Sequence, residues 1–242
     1  MKDLLSKILI VAKREYFAYF LSPIAYVYLS TFIVVVNWMF FRAFFLIGQA
    51  DLRPLFGMMP WIFLFFVPAV AMGKWSEERK QGTLELLFTL PINDISIVLA
   101  KFLAGLGLIA TALALTLPIA ITAVMLGNPD MGPIVGGYLG LLFLGGAYLS
   151  VGLVVSSLTE NQIIAFILGV ASSFALLVIG TPMLLGGSGS AFAGMVQYLG
   201  LASHFESISR GVVDSRDIIY YLSMIGFFLF INLKILETRA RR

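Results

Sequence analysis

Apolar residues run along the chain in long continuous stretches, broken by short polar segments. Six stretches, residues 24–41, 55–73, 102–126, 134–155, 163–185 and 218–236, approach or exceed the length of a membrane span. A helix needs about 20 mainly apolar residues to cross roughly 30 Å of hydrocarbon, whereas a barrel strand needs about ten with strict alternation. The stretches do not alternate, so the pattern predicts an all-α membrane protein with six transmembrane helices in a single domain over residues 1–242. Residues 4–20, LLSKILIVAKREYFAYF, follow a different rule. Leu4, Leu5, Ile8, Leu9, Val11, Ala12 and Tyr16 share one arc of a helical wheel, and Ser6, Lys7, Lys13 and Arg14 share the opposite one. That is the signature of an interfacial helix over residues 1–21, with Lys13 and Arg14 turned toward anionic lipid or a cytoplasmic partner. Glu15 falls inside the apolar arc. It either snorkels at the helix end or pairs with a basic residue at a span end, fixing the helix to the bundle.

Composition agrees with a membrane protein. Of 242 residues, 60% are hydrophobic and 12% charged, with a mean hydropathy of +0.99; a soluble domain carries about 25% charged residues. Cysteine is absent, which excludes disulfides, thiolate metal sites and a cysteine nucleophile. With the N-terminus in the cytoplasm, 12 of the 16 lysines and arginines fall on the inner side. The bias predicts that both termini are cytoplasmic. Lys13, Arg14 and Glu15 interrupt the first twenty residues, so nothing there reads as a cleavable signal. No ionisable residue lies in the middle of a predicted span, which argues against an ion-coupled carrier. No phosphate-binding loop or HExxH motif occurs. The chain is expected to be non-catalytic, to hold no cofactor or metal, to bind no nucleic acid, and to draw its energy from a partner.

The densest chemistry lies in residues 77–92, EERKQGTLELLFTLPI. Four charges continue the second span into water, and Gly82 permits a sharp turn. Thr83 is the expected N-cap of a short helix, Glu85 sits in its first turn, and Pro91 helps to end it. Leu84, Leu86, Leu87, Phe88 and Leu90 make this helix apolar almost all round, so it needs a second surface to cover it. No soluble domain in the chain could supply one. The alternative is a helix lying in the lipid interface.

Residues 186–216 are expected to form an outer segment with short helices. GGSGS makes a flexible break, Phe192, Met195, Val196 and Leu199 recur at helical spacing, Ser203 and Glu206 form a capping box, and Gly211 is a stop. His204, the single histidine, is expected to face water or headgroups. A protease pair of Ser188 and His204 is a remote alternative. Gly132, Gly136 and Gly140, with Gly146 and Ser150, make a small-residue seam expected to pack helices within one chain rather than between copies. The aromatics of the first two spans, including Trp38, Phe40, Trp61, Phe63 and Phe65, are expected to face lipid, the alternative being that they line a path for lipid-like or glycolipid cargo.

Glu78, Gly82, Thr83, Leu84, Glu85, Leu87 and Pro91 match the pattern E-x-x-x-G-T-L-E-x-L-x-x-x-P, and with it the chain resembles the ABC-2 family of ABC transporter permeases. The likeness extends to Arg14-Glu15, Ser22-Pro23 and the turn SSLTENQ at residues 156–162. Within the family the chain is most similar to gliding-motility-associated and nitrous-oxide-accessory permeases, through residues 204–223. The resemblance implies that residues 76–94 form a cytoplasmic coupling segment seated in a groove of a cytoplasmic ABC ATPase. Glu77, Glu78 and Arg79 would touch the groove's rim, Leu86, Phe88 and Leu90 would enter it, and Gly82, Thr83, Glu85 and Pro91 would shape the turn and helix. It further implies two ATPase subunits that hold the ATP and magnesium, a second permease copy or related permease, and, in the gliding-motility branch, a companion membrane protein with an extracytoplasmic domain. The implied setting is the bacterial plasma membrane. The implied role is ATP-driven export of a lipid-like, glycan or other substrate; the alternative is a mechanotransmission subunit through which nothing passes.

Overall fold

The computed structural model describes residues 2–47, 51–84, 93–179, 181, 196–212 and 214–240, and all regular structure among the described residues is helical. In chain order the helices are α1 (Lys2–Phe20), α2 (Pro23–Ile47), α3 (Arg53–Ala71), α4 (Gly73–Lys80), α5 (Asp94–Ala114), α6 (Leu117–Leu126), α7 (Met131–Leu158), α8 (Gln162–Val178), α9 (Leu201–Ser209) and α10 (Ser215–Ala240). Among the described residues five candidate spans are long and apolar enough to cross a membrane: α2, α3 continued by α4, α5 continued by α6, α7, and α10. The remaining expected span differs. Helix α8 has 17 residues, about 25 Å at 1.5 Å per residue, and the rest of stretch 163–185 falls largely outside the described residues.

Helix α7 is the hub. Of its span, 78% is buried, against 28% for α2 and for α10, and it packs on α3, α4, α5, α8, α9 and α10. Its glycines make this possible. A Cβ on Gly137 would stand 2.6 Å from the Phe56 ring, one on Gly152 would stand 2.6 Å from Ala71 Cβ, and one on Gly136 would run into the Ile208 carbonyl oxygen. The small-residue seam therefore joins helices of one chain.

The aromatic residues divide between core and surface. Phe40 and Phe63 are buried, whereas Trp38, Trp61 and Phe65 are exposed. The inward set forms edge contacts between α2 and α3, such as Phe32 with Phe66 at 5.1 Å. The lipid-facing expectation thus fails for Phe40 and Phe63, because α2 and α3 use bulky rings to fill their shared face.

At the end carrying α9, two expectations fail. His204 is buried, with 5% of its surface exposed. Its Nδ1 lies 2.6 Å from Asp217 Oδ1, its Nε2 donates to the Tyr198 carbonyl at 2.8 Å, and its ring stacks on Tyr220 at 3.8 Å. Both ring nitrogens are occupied, so none is available to activate a serine; Ser188 lies outside the described residues. The capping box does not form either. Gly200 is the N-cap of α9, without a side-chain bond, and the Ser203 hydroxyl instead donates to the Gly200 carbonyl at 2.8 Å. Gly211 does end the segment, at φ +91°, and Glu206 pairs with Arg210. His204→Phe is expected to lower stability by about 1–3 kcal/mol, since it leaves the enclosed Asp217 side chain without its hydrogen-bond partner. Thermal unfolding in mild detergent measures this, and an unchanged midpoint would contradict the buried pair.

Candidate coupling site

The site begins where α3 gives way to α4. Pro68 removes one backbone donor from α3, and the helical ladder is interrupted at Met72, whose own backbone stays helical, before resuming at Gly73. Ser156 of α7 stitches the break. Its Oγ donates to the Met72 carbonyl at 2.8 Å and accepts from the backbone N–H groups of Trp75 and Ser76 at 3.2 and 3.3 Å. A side chain inserted into the helical ladder is a recognised cause of a kink. Here it anchors the start of α4 to α7, with Trp75 and Ser76 wholly buried against α7.

Lys101, on α5, is the second fixed point. Its side chain is 3% exposed. Its ammonium donates to Glu78 Oε1 at 2.5 Å and to the Lys74 carbonyl at 3.2 Å, lies 4.0 Å from Glu15 Oε2, and sits 4.8 Å over the Trp75 ring. Lys74 completes the cluster, 3.1 Å from Glu15 Oε2 and 3.8 Å from the centroid of the Tyr19 ring. Three helices, α1, α4 and α5, are thereby tied through four charges. Burial alone would raise the Glu15 carboxyl, but Lys101, Lys74 and Arg14 together hold it below the ordinary carboxylate value. Burial, with the Glu15 charge nearby, pushes the Tyr19 phenol up.

Helix α1 rests on α5 through this cluster and an apolar seam. Ile8 and Ala12 are buried, and the Tyr16 and Thr111 hydroxyls bond at 2.8 Å. Leu5, Leu9, Ile10 and Phe17 stay exposed, so the apolar arc is divided between the bundle and its surroundings. Lys13 and Arg14 lie on the exposed side.

The charged residues at the end of α4 turn toward the chain's own α7–α8 connection. Glu77 accepts from the Gln162 amide. Arg79 donates to the Leu158 carbonyl at 3.1 Å and pairs with Glu160 at 3.1 Å. Gly82 adopts φ +69°, where a side chain would be strained. The Thr83 hydroxyl donates back to the Glu78 carbonyl at 3.2 Å, closing the end of the preceding helix rather than showing the expected cap of the next. Leu84 is buried.

Glu77, Glu78 and Arg79, expected as rim contacts, therefore each have a partner in their own chain, and Glu78 points furthest inward. Glu85, Leu86, Leu87, Phe88, Leu90 and Pro91 lie outside the described residues. The sequence reading passed over Lys101, Lys74 and Ser156 as members of the site. The expected span began at residue 102, whereas α5 begins at Asp94, which brings Lys101 inside the helix. Ile97, Lys101, Ala104 and Leu108 then share one buried face, and a lysine on an apolar stripe is the signal that could have found it. Among the described residues no three His, Asp or Glu side chains gather as a metal site.

Comparison with known families places these features in context. The profile described as "ABC-2 family transporter protein" matches residues 3–225. No curated protein matches the chain.

Proposed function

Because the chain belongs to the ABC-2 transporter family, whose multi-pass permeases pair with separate ABC ATPases that bind the ATP, we propose that it is the membrane subunit coupling such an ATPase to export of a lipid-like or glycan substrate. The observation that carries this reading is the connection from α3 through the Ser156 stitch to α4 and the Gly82 turn. In this reading both termini and α4 are cytoplasmic in a bacterial plasma membrane, and residues 1–242 form one domain with six spans, including α8. Residues 84–91 enter a groove on the ATPase, with Leu86, Phe88 and Leu90 as the buried anchors. Glu77 and Arg79 reach the rim from their places beside Gln162 and Glu160. Glu78 acts through Lys101 on α5 and α1. When two ATPases close on ATP, the push on α4 is carried into α7, around which the other helices pack. Such a unit requires a second permease copy or a related permease.

The family match does not extend to the gliding-motility or nitrous-oxide-accessory branch, which rests on residues 204–223 alone. The close packing of α7 favours a second reading, a mechanotransmission subunit that moves an extracytoplasmic partner.

Phe88→Asp tests the docking. Wild-type chain purified from native membranes should carry an ABC ATPase, and Phe88→Asp should retain less than a tenth as much, about 1.4 kcal/mol or more of binding. Equal retention, or no ATPase even after gentle solubilisation, would overturn the reading.

A further inference from the structure

Beside the ion cluster lies a cavity of about 280 Å³ between the end of α1, the start of α2, the α3–α4 break and α5. One side is charged, with Glu15, Glu77 and Glu78 against Lys74 and Lys101; the other is apolar, built from Ala25, Tyr28, Ala69, Val70 and Leu108. The charges are not equally accessible. The side chains of Lys101 and Lys74 are 3% and 14% exposed, against 26% for Glu15 and Glu78, and Glu77 is more open still. Both ammoniums are committed to carboxylates, and both lie over aromatic rings, Tyr19 and Trp75. An entering molecule therefore meets carboxylates, which outnumber the lysines three to two.

Two enclosed lining groups also lack hydrogen-bond partners among the described residues, the Tyr19 hydroxyl and Glu78 Oε2. An anion would be repelled by the excess carboxylate. A purely apolar guest would strip water from these charges and return nothing for it. At its edge the cavity reaches Ile24, which is exposed at the start of α2, where an alkyl chain could leave along the helix face.

We propose that this cavity binds the ammonium end of an amphiphile, with Glu77 and Glu78 as counter-charges and the tail along α2. The volume suits a headgroup rather than a whole drug-sized molecule. The ligand class is an amine carried on an alkyl chain, supplied either by an aminophospholipid or by a free amphiphilic amine. Bound there, it would press on the α3–α4 break, the part of the chain through which the coupling reading sends its motion.

Native mass spectrometry of the full chain in a non-ionic detergent tests this without any ATPase, so failure here would leave the coupling reading intact. The probes are phosphatidylethanolamine, phosphatidylglycerol and dodecylamine. Wild type should bind phosphatidylethanolamine or dodecylamine at least fivefold more tightly than phosphatidylglycerol. Retention of the lipid alone identifies a headgroup site, and retention of the free amine alone identifies a site for a soluble amphiphile. Glu77→Gln should weaken the preferred probe about fivefold, roughly 1 kcal/mol, and Ala69→Phe, which fills the cavity, should abolish its binding while leaving the thermal midpoint near wild type. Preference for phosphatidylglycerol, binding of none of the three, or unchanged binding in both variants would overturn the proposal.

Discussion

Replacing Lys101 by Met is expected to destabilise the protein by about 3–5 kcal/mol, the usual result of removing one partner from a buried ion pair. The cost comes from what remains. Glu78 keeps a half-buried carboxylate whose Oε2 is enclosed, and the Lys74 carbonyl loses a donor. Glu15 still has Lys74 at 3.1 Å, so α1 should loosen without being released. Trp75, 4.8 Å from the lost ammonium and fully buried, offers a fluorescence readout of unfolding in mild detergent. The double variant Lys101→Met, Glu78→Met should recover most of the loss, because apolar replacement on both sides of a buried pair is often neutral or stabilising. An unaltered unfolding midpoint in the single variant would mean that Lys101 does not hold the cluster together.

Gly136→Ala is expected to cost about 3 kcal/mol, at the upper end for one added methyl group. Its new Cβ would run into the Ile208 carbonyl oxygen and lie 3.2 Å from Gly211 Cα. Both obstacles are backbone, which cannot swing aside as a side chain can. Helix α9 would have to lift from α7, and the His204–Asp217 pair at the α9–α10 contact would be disturbed with it. Gly57→Ala and Gly226→Ala provide the control, since nothing stands within 4 Å of the added carbon at either position. Those variants should unfold within about 0.5 kcal/mol of wild type, as surface substitutions usually do. Thermal midpoints of the three proteins decide the matter. Equal stability for all three would show that the glycines of α7 are not a close-packed seam.

Hydrophobic pattern alone was enough to place the five candidate spans, because hydrocarbon thickness imposes a length on any helix that crosses it. The amphipathic character of residues 4–20 and the turn at Gly82 were legible for the same kind of reason: each is a local property of a few consecutive residues. Even so, the start of α5 was placed too late. Lys101 reads as polar in any hydropathy count, yet it lies inside a helix whose first turn begins at Asp94.

What the pattern could not supply was pairing. Ser156 meets the Met72 break from 84 residues away, Glu15 meets Lys74 across 59, and His204 meets Asp217 across a glycine stop. The same limit separated Phe63, buried against Phe32, from Phe65 on the exposed side. Periodicity tells which residues share a face of one helix and says nothing about which helix covers that face. In this chain close-packed glycines contribute to that choice: those of α7 meet α3, α9 and α10, and Gly107 of α5 lies against the Tyr16 ring of α1. A helical membrane protein with a charged segment turning at Gly82 was thus legible from local pattern, whereas the wiring of its charges into the bundle came only from packing, because a buried charge is stable only where its counterpart lies within bonding distance.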